Sequence, residues 1–201
     1  MNLEKLFEKQ RELDERILDR FPELRNENLL DKKILALQVE LGELAQNWRG
    51  FKFWSEDQEP NVVKYRCTCG NIYKNNIRCN DCFCNGYGYS LEKINPLLEE
   101  YVDCLHFILS IGLELNYGPF VIGKYKGPNV TRQFNFVYQD ASKLDIAISE
   151  DWTKEEIFDQ YDELVRGFNG LGEMLGFTWE QIEQAYFEKN AENHRRQEVG
   201  Y

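Results

Sequence analysis

Leu30, Ile34, Leu37, Leu41, Leu44 and Trp48 recur at alternating steps of four and three residues. That is the α-helical period, and it draws one apolar stripe down a helix about five turns long. Such a stripe has to be buried against another helix. A partner is at hand: Leu98, Tyr101, Leu105 and Ile108 form a second stripe, and Gly112 continues its face with no side chain to hold a neighbour away. The segment Leu3 to Leu18 is helical in pattern and stops at Phe21-Pro22, because the residue before proline is driven out of the helical region. Further helices are expected over Val130 to Ser149, Lys154 to Leu175 and Trp179 to Arg196. Thr153 with Glu156, and Thr178 with Gln181, have the spacing of capping boxes, and Gly176 suits a helix stop between the last two. Alternation at period two is weak throughout. These patterns predict an all-α helix bundle forming a single domain over residues 1–201.

From about residue 57 to 89 the pattern breaks. Helical periodicity gives way to Cys, Asn, Gly and Tyr, which reads as an insertion between the second and third helices. Five of the six cysteines fall here: Cys67, Cys69, Cys79, Cys82 and Cys84; the sixth is Cys104. The N-terminal run MNLEKLFEKQ is charged and amphipathic and does not read as a signal peptide. The expected compartment is therefore the cytosol, where clustered thiols favour metal over disulfides. Zn²⁺ takes four thiolates in a tetrahedron. Cys67, Cys69, Cys79 and Cys82 are the favoured set, with Cys84 able to replace one. The insertion has too few apolar residues to hold itself together, and a structural zinc would supply that.

Of the chain, 42% is apolar and 14% aromatic, which is ample for a packed core. A net charge of −11 argues against binding a nucleic-acid polymer, which needs a basic surface. No apolar run approaches membrane-spanning length. A single nucleotide remains compatible with the acidic balance, because metal ions and a local basic cluster offset the global sign.

The chemistry sits on the two stripes. Glu40 and Glu43 flank Leu41 and Leu44; Glu100 and Asp103 flank Tyr101 and Leu105. Residues three apart on a helix lie about 60° apart around its axis, so each pair projects from one side. If the stripes pack together, four carboxylates converge at the edge of the core. Their mutual repulsion is relieved by a hard divalent cation, and Mg²⁺ among carboxylates suits phosphate-bond cleavage. One such pair alone describes many solvated helix faces; two pairs on successive amphipathic helices are more specific. A di-iron bundle would need two Glu-x-x-His motifs. Here Asp103-x-x-His106 is a half-match and His194 has Ala191 three residues before it. His106 reads as a partner of a ligand carboxylate or as a satisfied core histidine.

Four stretches resemble the motifs of the dimeric, all-α dUTPases, in that family's order. They are Gln10-Arg11-Glu12-Leu13-Asp14; Val39 to Arg49 (VELGELAQNWR) with Phe51-Lys52-Phe53-Trp54; Leu98 to Phe107 (LEEYVDCLHF); and Tyr186 to Gln197 (YFEKNAENHRRQ). Phage and Gram-positive bacterial members are the most similar in kind. The resemblance implies a homodimer that hydrolyses dUTP, and dUDP, to dUMP with two or more Mg²⁺ ions held by Glu40, Glu43, Glu100 and Asp103. It implies uracil-end recognition by Gln10 with Asp14 nearby, although many relatives carry Asn where Asp14 stands. It further implies phosphate binding by Lys189, Asn193 and Arg196, with Lys52 a further candidate.

The residues agree with those roles. Lys189, Asn193 and Arg196 follow at steps of four and three, so they share a helix face and could clamp a triphosphate. The plainer alternative is a basic helix end complementing its own dipole. Gln10 can donate to a pyrimidine carbonyl and accept from N3–H, or be an ordinary surface glutamine. Trp48 and Trp54 either wall the base or belong to the core. Among the carboxylates, Glu43, beside Glu40, is the expected base for the attacking water. Two other functions fit parts of the pattern: an all-α pyrophosphatase for another nucleotide, or a zinc-bearing interaction module on the same scaffold. The insertion is also the place to expect a protein partner.

Overall fold

The computed structural model describes residues 3–67, 71–74, 91–117 and 123–199. Among these, helices α1 (Leu3–Arg20), α2 (Leu30–Trp48), α3 (Pro96–Glu114), α4 (Val130–Ser149), α5 (Lys154–Met174) and α6 (Trp179–Val199) form an all-α bundle. A 3-10 turn over Pro22–Asn26 links α1 to α2.

The centre of the bundle is α3. It packs against α1, α2, α5 and α6, while α4 packs on α2 and α5. Tyr101, Leu105 and Ile108 are buried as their spacing predicts, but so are Leu97, Val102 and Leu109 on other faces. A helix enclosed on nearly every side carries apolar residues all round, and a single stripe understates it. The ends are set locally. Asn95 accepts a hydrogen bond from the Leu98 amide at 3.2 Å, ahead of Pro96 in the first turn. Thr153 and Glu156 form the expected capping box. Thr178 and Gln181 bond reciprocally, at 3.3 and 2.9 Å. Gly176, at φ +86°, follows the end of α5.

Gly112 permits the close approach of α5. A Cβ there would lie 2.3 Å from the Tyr161 hydroxyl oxygen, which donates to the Ile108 carbonyl at 2.9 Å. Tyr101 stacks on Phe168 with centroids 4.2 Å apart.

One element runs against the expectation of helices alone. Strands β1 (Lys64–Cys67), β2 (Ile72–Tyr73) and β3 (Leu91–Ile94) form an antiparallel sheet in the order β2-β1-β3. Strands of two to four residues are too short for period-two alternation to show. The sheet spans both margins of the inserted region, and β3 lies beyond the expected limit at residue 89. Cys67 pairs across from Leu91 in the β1–β3 register. Arg66 on β1 grips both carboxylate oxygens of Glu99, at 2.9 and 2.7 Å, which docks the sheet on the first turn of α3.

Candidate active site

Side by side, α2 and α3 bring Glu40, Glu100 and Asp103 together, with one oxygen of each within 4.8 Å of the others. Partial burial, then the charges of Asp103 and Glu43, push Glu40 up to about 7. Burial and the same neighbours, with Glu40 added, push Glu100 up to about 7 as well. Glu43 is exposed and lies outside the group of three, yet near enough for its charge to act on both. Protons or cations must neutralise such a cluster, and one cation is already drawn in: Lys189 of α6 contacts Asp103 at 2.6 Å. Half-buried oxygen ligands that are costly to ionise together fit a hard divalent cation.

Asn47, one turn beyond Glu43, donates through Nδ2 to Glu100 Oε1 at 3.2 Å and to the Glu43 carbonyl at 3.3 Å. Asn61 donates to Asn47 Oδ1 at 3.0 Å. This amide pair holds one member of the cluster in place. The spacing of charged residues does not reveal it, although the i, i+4 relation to Glu43 puts Asn47 on that face.

A cleft of about 800 Å³ opens beside the cluster. Asp103, His106, Ser110 and Leu113 follow one another along its α3 wall, roughly a turn apart. Gln10 and Asp14 face it from α1; Lys189, Asn193 and Arg196 face it from α6. The three helices run parallel, since Gln10 bonds to His106 and Asp14 to Ser110, while Tyr186 bonds to Gln10 and Arg16 to Glu198. Two of the expected metal ligands, Glu40 and Asp103, thus share one cavity with the expected phosphate ligands, and the expected nucleoside-end residues lie further along it.

The family model for dUTPase matches residues 2–67 and 89–201, omitting only the middle of the cysteine-bearing insertion. The chain belongs to the dUTPase family. It is therefore an enzyme, a dUTP diphosphatase, and dUTPases generally use Mg²⁺. No curated protein sequence matches the chain. Among the described residues, no helix is long and apolar enough to cross a membrane.

In this dUTPase, Gln10 is only 3% exposed and its amide is fixed by neighbours. Oε1 accepts from the Tyr186 hydroxyl at 3.0 Å and lies 2.7 Å from His106 Nδ1, while Nε2 donates to Asp14 at 2.7 Å. Asp14 also accepts from Ser110 Oγ at 2.7 Å. Burial raises the Asp14 carboxyl above its ordinary value, with the Ser110 and Gln10 hydrogen bonds opposing it. Lys33 closes the group, 3.9 Å from Asp14 and 2.5 Å from Glu114. Spacing did not single out Tyr186, Ser110 or Lys33, because their partners are distant in sequence.

Other expected residues lie elsewhere. Lys52 sits in the turn after α2, 5.7 Å from the Phe51 ring centroid, and is not part of the cleft wall. Trp48 packs on Phe134 with centroids 5.3 Å apart, as a core residue would. Trp54 is 66% exposed beside Phe53, away from the cleft. Cys67 is buried on β1; Cys69, Cys79, Cys82 and Cys84 lie outside the described residues.

Proposed function

We propose that this cleft hydrolyses dUTP, and dUDP, to dUMP, with Glu40, Glu100 and Asp103 holding two or more Mg²⁺ ions and Glu43 completing the set. The observation that carries the reading is a cavity lined by Glu40 and Asp103, two of the three clustered carboxylates, together with Lys189, Asn193 and Arg196 from α6. A bound Mg²⁺ would neutralise phosphate charge and acidify a water. Lys189 then has two anions to choose from, Asp103 and the phosphate chain, and can pass from the first to the second as substrate enters. Asn193 and Arg196 lie on the same helix face and align the chain for in-line attack. Glu43 stands outside the group of three, so it is the carboxylate available to accept the proton from water. The water oxygen bonds to phosphorus as the phosphoanhydride oxygen departs, giving dUMP and pyrophosphate from dUTP.

Gln10 and Asp14 line the nucleoside end in this reading, and Lys52 remains a candidate only if its turn reaches substrate from outside the cleft. The zinc proposal stands on sequence spacing and on the position of Cys67 at the edge of the inserted segment. Exposed Leu35 and Val39, one turn apart on α2, support an apolar contact between two copies of the chain. Sedimentation as a monomer at micromolar concentration would remove the homodimer.

The deciding experiment measures pyrophosphate release from dUTP, dCTP and dTTP with Mg²⁺ and with chelator. Metal-dependent release confined to dUTP is expected; equal turnover of all three would overturn the substrate assignment. In H₂¹⁸O, label in dUMP would place attack at the α-phosphorus and label in pyrophosphate at the β.

A further inference from the structure

Asn61 lies outside the helices, yet it touches both of those that carry the carboxylates. It sits between α2 and β1, at the centre of a three-residue turn in which the Val62 amide donates to the Pro60 carbonyl at 2.9 Å. Its own amide donates to the Asn47 carbonyl at 2.9 Å, and its carbonyl accepts from the Leu97 amide at 3.2 Å. The first partner belongs to the last turn of α2 and the second to the first turn of α3, where helices leave backbone groups without internal partners. Main-chain bonds therefore fix position 61, and the side chain is left for a separate task.

That task follows from the chemistry of a carboxamide. An asparagine side chain has a donor end and an acceptor end of nearly the same shape, and its neighbours decide which way round it sits. Asn47 faces two acceptors on one side, Glu100 Oε1 at 3.2 Å and the Glu43 carbonyl at 3.3 Å. On the other side, Asn61 Nδ2 donates to Asn47 Oδ1 at 3.0 Å. The two sides agree on one orientation, with Nδ2 toward the carboxylates and Oδ1 toward Asn61. Turned over, Asn47 would set an oxygen against Glu100 and repel the carboxylate it now holds.

We propose that Asn61 is a positioning residue of the metal site. Through Asn47 it keeps Glu100 in the orientation that receives a divalent cation, and it touches neither the cation nor the substrate. The inference rests on the Mg²⁺ reading of the cluster. Groups that orient metal ligands contribute to affinity without bonding to the metal, and Asn61 stands one hydrogen bond further out than Asn47.

The test titrates Mg²⁺ by calorimetry into chelator-treated full-length protein, as wild type, Asn61→Leu, Asn47→Ala and the double variant. Leucine branches at Cγ as asparagine does, keeps the main-chain bonds of position 61 and removes the donor. Asn61→Leu should bind Mg²⁺ about fivefold more weakly than wild type, the scale of one hydrogen bond. In the Asn47→Ala background the same change should have no further effect, because no amide is left to orient. A residue that merely braced α2 against α3 would weaken binding equally in both backgrounds. That result overturns the inference, and so does an unchanged affinity in Asn61→Leu; both leave the Mg²⁺ reading intact. Wild type that takes up no Mg²⁺ would sink that reading and the inference with it. Turnover gives a second readout: the Mg²⁺ concentration for half-maximal dUTP hydrolysis should rise in Asn61→Leu, with kcat at saturating Mg²⁺ held within about twofold. Should Asn61→Leu not fold, Asn61→Ala removes the same donor with less bulk and takes its place in the cycle.

Discussion

Glu40 and Glu100 hold protons near neutrality that an unfolded chain would have lost, since their ordinary value is 4.5 and the fold raises both to about 7. Between those values the folded state binds more protons, so raising the pH favours unfolding. These two groups should therefore cost the metal-free protein stability as pH rises from about 4.5 to about 7, opposed below about 6.5 by His106, which burial pushes down to about 3. Other carboxylates, such as Glu173 lowered to about 2 by Lys124 and Lys126, act at more acidic pH. Thermal melts in chelator should show wild type losing stability relative to Glu100→Gln as the pH rises through this window. Added Mg²⁺ competes with those protons, and should raise the melting temperature more at about pH 8 than at about pH 5.5. An equal rise at both would argue against Mg²⁺ binding at these carboxylates. Asn47 belongs to the same scale. Its amide orients Glu100, and groups that orient metal ligands contribute about ten- to a hundredfold in affinity. Asn47→Ala should weaken Mg²⁺ binding by about tenfold in calorimetry, with the helical spectrum unchanged; an unaltered affinity would make the contact incidental.

Helices α2 and α3 show why some elements were legible and others were not. Nineteen residues at a constant period leave a clear stripe, and both pairs of carboxylates could be placed from it. The two- and four-residue strands give no such signal, and their pairing spans the inserted region. Nor does local spacing announce the Gln10–His106–Tyr186 group, whose members are drawn from α1, α3 and α6. Gly112 is an intermediate case: the sequence indicates close approach, and the fold supplies Tyr161 as what approaches. In Gly112→Ala, the new methyl group would sit 2.3 Å from a hydroxyl held in a buried hydrogen bond. Overpacking costs about 1–3 kcal/mol, against about 0.5–1 kcal/mol gained from helix propensity. The net effect should be destabilising by about 1–2 kcal/mol in urea titration, with dUTP turnover preserved below the transition. A stabilised variant would mean that α5 can shift aside freely.

At the scale of the whole molecule, the catalytic bundle and the cysteine-bearing insertion are separable on physical grounds. Each carboxylate of the cluster, and each cleft residue from α1 and α6, belongs to a stretch that the dUTPase family model matches, and residues 68–88 do not. The ends of the insertion already lie side by side, because Cys67 pairs with Leu91 across antiparallel strands. Two antiparallel strands at that register can be joined by a two-residue Asn-Gly turn, so residues 68–90 can be exchanged for one without moving α2 or α3. Closing a shorter loop also lowers the entropy lost on folding, though length enters only logarithmically. Arg66–Glu99 keeps β1 docked on α3 in either form, and Asn61 reaches Asn47 from outside the replaced segment. The shortened protein should fold, hydrolyse dUTP within about a factor of two of wild type, and lose the zinc proposed for the cysteines. Metal analysis beside a pyrophosphate assay checks both halves at once. Loss of turnover in a folded, Mg²⁺-binding variant would mean that the insertion reaches into the cleft, and the bundle alone would no longer account for the enzyme.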